Sequence, residues 1–286
     1  MKIIRSLGAM TAWSERLRRE GVTIGFVPTM GALHDGHRAL IRTARLRCDA
    51  LVVSIFVNPT QFGPAEDLAK YPRPIGKDRE LCRQEGVDVC FEPSAEVMYP
   101  VGFQTVVTVP AIATRWEGEA RPHHFAGVAT VVTKLFGLVR PHLALFGQKD
   151  YQQAALVRQL VKDLSLGVEI MVRPTVRGEH GLAMSSRNVY LSPEERIVAS
   201  TLYKSLQAGA KVVRNGTTDA SAVQAAMEKV VRQEPALTIE YLSVCDPVTL
   251  EPLSHVASKA VLLGAVRLRS VRLIDNLIVT LPTGHR

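Results

Sequence analysis

Two histidines three residues apart are the most chemically suggestive feature of this 286-residue sequence. His34 and His37 lie in the stretch PTMGALHDGH, after a short apolar run and before a segment with helical spacing. A glycine-bearing turn into a helix presents backbone N–H groups and the positive end of the helix dipole, which favours a phosphate. Because residues three apart lie on adjacent helical turns, both imidazoles can point to one ligand. The pair therefore predicts a phosphate site.

Three other roles remain open for the same pair: metal binding, proton transfer and a purely structural role. Tetrahedral zinc needs three or four protein ligands, and no nearby His/Cys cluster supplies the rest. A structural role would make Asp35 the helix cap and leave the histidines as polar surface groups. That role would be favoured for a lone histidine, whereas a pair in this loop favours the phosphate.

Three other polar segments have side chains suited to a nucleotide or a small acid. NPTQFGP contains Asn58 and Gln61, uncharged amides that suit hydroxyl and carboxylate groups. FGQKDYQQ contains Lys149, which can meet a phosphate, and Asp150, which could contact a ribose hydroxyl or cap a helix. MSSRN offers two hydroxyls and the guanidinium of Arg187, which can hold two phosphate oxygens. Each segment taken alone is also typical of a turn or a solvated loop.

Alternating strand-like and helix-like segments must position these loops. Short apolar runs predict strands over residues 22–27, 51–57, 87–91, 143–146 and 168–172, and helical spacing predicts helices over 11–20, 35–47, 75–85, 125–139 and 150–164. Such alternation implies βαβ units and an open parallel sheet. All four polar loops follow predicted strands, where ligands bind in sheets of this kind. The alternating residues 104–109 predict one more extended segment.

The pattern changes near residue 176. A helix start at Ser192-Pro193-Glu194-Glu195 and helices to about residue 213 and over 218–232 are followed by strands over 238–245, 260–268 and 277–280. The sequence therefore predicts an α/β domain of residues 1–175 and a smaller α+β domain of residues 176–286.

Composition narrows the class of protein. With 47% hydrophobic and 22% charged residues the chain is globular, and its net charge of +8 suits an anionic partner. No basic run with interleaved aromatics is present, so a nucleic-acid partner is disfavoured. The apolar runs are too short to cross a bilayer, and the first residues lack a secretory core. Four cysteines without paired spacing predict a reducing cytoplasm.

Two familiar phosphate motifs are missing. The sequence contains neither GxxxxGK[ST] nor a GxGxxG after the first predicted strand. Phosphate contacts would then come from histidine, lysine, arginine and backbone groups of several loops. That arrangement is expected when the α-phosphorus of ATP is attacked and pyrophosphate leaves.

The sequence resembles the pantothenate synthetase family of the HxGH nucleotidyltransferase superfamily. The resemblance covers PTMGALHDGH, VVSIFVNPTQFGPAEDLAKYPR, RPHHFAGV, FGQKDYQQ, GLAMSSRN and RLIDN in the family's order. HxGH alone is specific only to the superfamily. The resemblance implies a Rossmann-like open parallel sheet with helices on both faces, a smaller C-terminal α+β lid domain, and a homodimer. It also implies ATP-dependent, Mg²⁺-assisted ligation of pantoate to β-alanine through pantoyl adenylate, with AMP and pyrophosphate released.

The same resemblance implies the site residues. His37 would donate a proton beside the phosphate-binding His34, and Lys149 and Arg187 would complete the catalytic set. ATP contacts would come from Met30, Gly31, Ala32, Leu33, His34, Asp35, Gly36, His37, Gly147, Gln148, Lys149, Asp150, Val176, Met184, Ser185, Ser186 and Arg187.

The acid substrates and the metal would have their own residues. The resemblance implies that Gln61 and Gln153 hold pantoate and that Gln61 also meets β-alanine. Asp78 would bind Mg²⁺ with pyrophosphate.

Three positions depart from the family's usual residues. Gln148 stands where Glu is frequent, His180 where Asp is frequent, and Lys77 at a position that can be acidic. Since none of these changes touches the residues implied to be catalytic, we expect activity to be retained. Two other functions remain alternatives: an HxGH nucleotidyltransferase acting on another small acid or phosphate ester, and a basic RNA-binding protein without catalysis.

Overall fold

A computed structural model describes residues 1–64 and 66–282. Ala65, within the NPTQFGPAEDL motif, and residues 283–286 of the predicted second domain lie outside the described residues. The chain divides into two compact units, one of residues 1–148 and 152–174, the other of Lys149–Tyr151 with the chain from Thr175 onward. The bounds and roles of the ATP-binding and lid domains stay predictions.

Six parallel strands form the sheet of the first unit: β1 (Lys2–Ile4), β2 (Ile24–Thr29), β3 (Ala50–Ile55), β4 (Val89–Phe91), β5 (Leu143–Gly147) and β6 (Glu169–Arg173). Their order is β1-β4-β3-β2-β5-β6. The chain moves outward from β2 in one direction and from β5 in the other. The strand order therefore reverses between β2 and β5, and ligands bind at the carboxyl ends beside such a reversal. The HxGH loop follows β2 directly.

Helices cover both faces of this sheet, which confirms the Rossmann-like architecture. They are α1 (Leu7–Arg19), α2 (Asp35–Arg45), α3 (Ile75–Gln84), α4 (Ala95–Met98), α5 (Pro110–Ala113), α6 (Glu117–Ala120), α7 (His124–Val139) and α8 (Tyr151–Asp163). Val27 of β2 packs in one core with Ile41 of α2. Its neighbour Phe26 points to the opposite face, where its ring contacts Phe136 of α7 at 6.2 Å between centroids. Among the described helices none is long and apolar enough to span a membrane.

Element boundaries differ from the sequence prediction where local hydrogen bonds decide them. Helix α1 begins at Leu7, four residues before the predicted start, because Ser6 Oγ accepts the N–H of Ala9 at 3.4 Å. Residues 104–109 form no strand in the described structure, and the N–H of Val107 donates to Thr130 Oγ1 at 2.9 Å instead. The edge strand β1 and the short helices α4, α5 and α6 were not predicted, since none is long enough to show a period.

The second unit is a small α+β structure, as predicted. Helices α9 (Pro193–Ala199), α10 (Thr201–Arg214) and α11 (Ala220–Val231) precede an antiparallel sheet of β7 (Leu237–Cys245), β8 (Lys259–Leu268) and β9 (Val271–Thr280), in that order. Its core joins Leu206 of α10 and Met227 of α11 to Leu262 of β8. Strand β9 begins six residues before the predicted start, because pairing with β8 carries it through the polar pair Asp275 and Asn276.

Close packing of α7 against the turn after β3 gives a stability prediction. A Cβ added at Gly127 would lie 2.4 Å from the carbonyl oxygen of Thr60 and 2.6 Å from the backbone nitrogen of Gln61. Because both atoms are backbone, we expect Gly127→Ala to lower the free energy of unfolding by about 1–3 kcal/mol. Urea denaturation of Gly127→Ala and of the unsubstituted protein measures this difference in the free energy of unfolding.

The control lies ten residues along the same helix. No atom lies within 4 Å of a Cβ built at Gly137. Gly137→Ala should raise the free energy of unfolding by about 0.5–1 kcal/mol, since alanine is the better helix former. Equal gains in both variants would contradict the packing of α7 against this turn.

Candidate active site

The two histidines of the HxGH loop cap helix α2. His34 is the N-cap residue, in place of Asp35, and its Nδ1 accepts the N–H of Gly36 at 3.1 Å. Three residues later the Nδ1 of His37 accepts the N–H of His34 at 3.3 Å. The ring centroids lie 4.2 Å apart. The histidines thus form a reciprocal cap of the kind that Ser and Glu usually provide.

This cap decides which nitrogen of each ring can act on a ligand. Because both Nδ1 atoms accept hydrogen bonds, each neutral ring carries its hydrogen on Nε2. An Nε2–H group is a donor, and fixed donors stabilise the charge that develops on phosphate oxygens. The structural and the chemical roles are therefore compatible, since they use different nitrogens.

Asp78 of α3 anchors the same loop. Its side chain is 2% exposed, and its two oxygens accept the N–H groups of Ala32 at 2.9 Å and Leu33 at 2.8 Å. Burial raises the pKa of this carboxyl group, while the two backbone N–H bonds oppose the rise. Gly31 and Ala32 both have positive φ, 84° and 49°, so the loop is tightly bent here. The carboxylate holds this bend.

The predicted magnesium role of Asp78 finds no support in this geometry. Both of its oxygens already accept backbone N–H groups. Over residues 1–64 and 66–282 no group of three or more His, Cys, Asp or Glu side chains could hold a metal ion. The residues that the structure describes do not form a protein cage for Mg²⁺, and the assignment of Asp78 stays a prediction.

The turn after β3 presents Gln61 beside the HxGH loop. Gln61 is 7% exposed, and its Nε2 lies 3.0 Å from the Sδ of Met30. Asn58, also buried, donates to Gln61 Oε1 at 3.2 Å and to the carbonyl of Gly127 at 3.1 Å. Its Oδ1 accepts the hydroxyl of Tyr99 at 2.8 Å. Asn58 therefore supports Gln61, although the sequence had suggested that both amides recognise a ligand.

Two residues of the RPHHFAGV motif hold the main chain of Gln61. Arg121 Nη2 donates to the Gln61 carbonyl at 3.2 Å, and His124 Nδ1 lies 3.0 Å from the same oxygen. Because a carbonyl only accepts, His124 Nδ1 carries the hydrogen. Burial, followed by the charge of Arg121, lowers the pKa of His124 to about 4, so the ring is neutral at pH 7. Arg121 also pairs with Glu66 through both carboxylate oxygens.

Sequence reasoning assigned no role to these two residues. The motif RPHHFAGV was recognised only as part of a resemblance. A pattern of letters does not show that the Arg121 and His124 side chains point to a carbonyl some sixty residues away in the chain.

Lys149 and Asp150 belong to the second unit although they follow β5. The Lys149 ammonium lies 3.4 Å from an Asp150 oxygen, with the lysine side chain 21% exposed and the aspartate 48% exposed. Gln148, the preceding residue, donates its N–H to the Arg173 carbonyl at 2.8 Å in the first unit. Gln148 stands where the family often has Glu, but this hydrogen bond is made by the backbone and does not depend on the side chain at position 148.

The loop containing MSSRN is also in the second unit. Met184 N–H donates to the Val176 carbonyl at 2.9 Å, so these two predicted ATP contacts are adjacent. Ser185 caps the 3₁₀ turn of Ser186–Tyr190, and its Oγ accepts the N–H of Arg187 at 3.3 Å. His180 lies on the same loop in the left-handed conformation, with φ of 59°.

The described contacts thus group the predicted residues unit by unit. In the first unit, hydrogen bonds join Met30 to Gln61 and Asp78 to the HxGH loop. Gln153, the other predicted pantoate residue, is on α8 of this unit and is half-buried. In the second unit the predicted set is Lys149, Asp150, Val176, Met184, Ser185, Ser186 and Arg187.

The basic face of α2 is paired with acidic side chains. Arg38 and Arg42 both contact Glu85, at 3.0 and 2.6 Å, and Arg45 lies 2.7 Å from Asp88. Glu85 is 8% exposed in its side chain. These ion pairs reduce the positive charge that α2 presents to an anionic polymer.

Comparisons with known proteins match the chain over almost its whole length. A pantothenate synthetase of Desulfatibacillum aliphaticivorans is 50% identical over 279 residues, 98% of this chain and 99% of that protein. The crystal structure of pantothenate synthetase from Thermus thermophilus has a TM-score of 0.92 and 47% identity, covering 97% of this chain and 99% of that one. A pantoate–β-alanine ligase from Francisella tularensis, complexed with β-γ ATP and β-alanine, has a TM-score of 0.80 and 34% identity, covering 97% of both chains. The family model for pantoate–β-alanine ligase matches residues 2–278, and the chain accordingly belongs to that family.

Proposed function

We propose that this protein condenses (R)-pantoate with β-alanine, consuming ATP and releasing pantothenate, AMP and pyrophosphate. Family membership supports the reaction, and the crystal structure of the Francisella relative is of its complex with β-γ ATP and β-alanine. The observation that carries the proposal is the contact between Gln61 and Met30. It places a buried amide, suited to a small hydroxy acid, beside the loop whose histidines present Nε2–H donors.

In the first step a carboxylate oxygen of pantoate attacks the α-phosphorus of ATP. A P–O bond forms to the acid, the bond to the β-phosphate oxygen breaks, and pyrophosphate leaves with the electron pair. The Nε2–H groups of His34 and His37 donate to oxygens on which this charge develops. Backbone N–H groups of the loop that Asp78 holds add further donors.

Positioning supplies much of the remaining acceleration. Gln61 and Gln153 hold pantoate, and Gln61 also meets the incoming β-alanine. An in-line, bound carboxylate reacts far faster than one in solution. Asn58 holds the side-chain amide of Gln61, and Arg121 and His124 hold its main-chain carbonyl, so the three residues together define where the acid lies.

In the second step the amine of β-alanine attacks the activated carbonyl of pantoyl adenylate. The C–N bond forms, the bond to the AMP oxygen breaks, the amine loses a proton, and AMP leaves. We further propose that Lys149, Asp150, Val176 and the segment Met184–Arg187 contact ATP. Mg²⁺ would enter with the triphosphate as its counter-ion, since it is commonly held by phosphates and water with few protein ligands.

A product assay tests the reaction. The protein incubated with ATP, Mg²⁺, pantoate and β-alanine should release AMP and pantothenate in equal amounts, with little AMP when either acid is omitted. Chromatography of the nucleotides measures both. A stable product that retains the nucleotide would instead indicate a nucleotidyltransferase, and salt-sensitive RNA binding without AMP release would indicate an RNA-binding protein.

Substitution at His34 separates capping from catalysis. In His34→Asn the side-chain oxygen can take over the cap, but the Nε2–H donor is lost. We expect AMP formation to fall on the order of 10²-fold, the usual cost of one such donor. The melting temperature should stay near that of the unsubstituted protein.

His34→Ala provides the matched control, because it removes the cap as well. It should lower the free energy of unfolding by about 1 kcal/mol. Near-normal turnover in His34→Asn would remove this imidazole from the chemistry.

We also propose that the protein forms a homodimer in the cytoplasm. Val101, Phe103 and Val106 are exposed apolar side chains close together in the chain, and exposed apolar surface favours association with a second copy. None of the four cysteines forms a disulfide, as in a reducing compartment. Light scattering should give twice the monomer mass, and Val106→Lys should shift it toward the monomer; an unaltered dimer would exclude this surface.

A further inference from the structure

We infer that Asp275 and Asn276 are positioning residues that align the second unit's predicted ATP contacts. Neither residue was given a role by the sequence, and neither is in the set proposed to touch substrate. The inference rests on the proposed function, because it assigns the two residues to placing Lys149 and the Val176–Arg187 loop. Both residues lie on β9, 5% and 1% exposed.

Asn276 holds the main chain of Lys149. Its Nδ2 donates to the Lys149 carbonyl at 2.9 Å. The other end of the same short segment is held by Tyr151, whose hydroxyl donates to the Pro247 carbonyl at 2.8 Å. Two hydrogen bonds therefore tie Lys149–Tyr151 to the second unit, although β5 before it and the rest of α8, from Gln152 onward, belong to the first. The hydrogen bond to its carbonyl restrains the main chain from which the lysine side chain extends.

Asp275 holds the other predicted segment through Arg177. The guanidinium of Arg177 bonds both oxygens of Asp275, at 2.5 and 3.0 Å. The same guanidinium donates to the Gly181 carbonyl at 3.0 Å and lies 3.7 Å from the centre of the Tyr203 ring. It thus crosses the base of the loop between Val176 and Met184, whose ends are joined by a backbone hydrogen bond.

Stability alone does not account for this arrangement. A buried ion pair gains little over well-packed apolar residues, because desolvation offsets most of its attraction. Here the Asp275–Arg177 ion pair and the Asn276 amide bind two loops, which are far from β9 in the sequence, to that one strand. Burial raises the pKa of Asp275, and the Arg177 guanidinium and, more weakly, the Lys149 charge oppose the rise. Asp275 and Asn276 therefore align Lys149 and the loop that contains Arg187, the two groups that would supply positive charge to a triphosphate.

Asn276 is the better residue to change, because it is neutral. Removing Asp275 would leave the Arg177 charge buried without its partner, and the protein would lose stability for that reason alone. Asn276→Asp keeps size and shape but removes the donor to Lys149. The charged groups near position 276 include Asp275, Arg177 and Lys149.

The experiment measures AMP release by Asn276→Asp as a function of pH. Burial and the neighbouring Asp275 charge raise the pKa of the introduced carboxyl group, and we expect them to outweigh the opposing charges of Arg177 and Lys149, as burial does for Asp275 itself. Ionised, it cannot donate to the Lys149 carbonyl, and turnover should fall about 10- to 100-fold, the scale of a misplaced group. Protonated, it regains an O–H donor. Turnover relative to the unsubstituted protein should therefore recover as the pH falls from about 8 toward about 6.

Asn276→Leu is the matched control, since it has no donor at any pH. It should show the same loss without recovery at low pH. In both variants the KM for ATP should rise, whereas the KM for pantoate should not change, because its proposed ligands lie in the first unit.

Each outcome decides the question. Equal turnover in Asn276→Asp and the unsubstituted protein, or the same pH profile in Asn276→Asp and Asn276→Leu, overturns the inference and leaves the proposed function intact. If the unsubstituted protein neither releases AMP nor binds a non-hydrolysable ATP analogue in calorimetry, the proposed function fails and the inference fails with it. Low-pH recovery confined to Asn276→Asp supports the positioning role.

Discussion

The reciprocal cap of α2 by His34 and His37 is the interaction on which the candidate site depends. A helix start leaves backbone N–H groups without partners inside the helix, and here two imidazoles supply them. Accepting these hydrogens commits each Nδ1, so each neutral ring carries its hydrogen on Nε2. The strand order places this cap beside β5, where the sheet changes direction and parallel sheets bind their ligands. Local hydrogen bonding and topology therefore agree on one location.

Around the cap, buried polar groups serve placement more than contact with substrate. Asp78 accepts two loop N–H groups, and Asn58 holds the amide of Gln61. In a poorly polarisable interior an unpaired polar group is costly, so each of these side chains is held by partners that leave it little freedom. His124 follows the same rule, since burial keeps it neutral and able to donate to one carbonyl. Precise placement of a small acid follows from such networks, because small displacements are expensive for a reaction.

Much of the fold was predictable from periodicity, and the failures have physical causes. The apolar runs that begin at residues 22 and 51 predicted the first and last residues of β2 and β3 to within two positions. This is because strands covered on both faces contain few polar side chains. Strand β9 was predicted only in its last four residues, since Arg272, Asp275 and Asn276 interrupt the apolar pattern. Alternation over residues 104–109 predicted an extended segment, but this segment forms no strand pairing in the described structure. Pairing partners are not encoded in the period of a segment.

The sequence by itself determined which functional groups the site can use. They are two imidazoles, uncharged amides, a lysine and an arginine, each in a loop that follows a strand. It also determined the order of these loops along the chain. The combination of their motifs was enough to indicate the family. Only the tertiary structure decided that Asp78 faces backbone N–H groups of the HxGH loop and that Asn276 holds Lys149 from more than a hundred residues away. The reason is physical. A residue's type limits what it can donate or accept, but the partner that it meets depends on how distant segments pack.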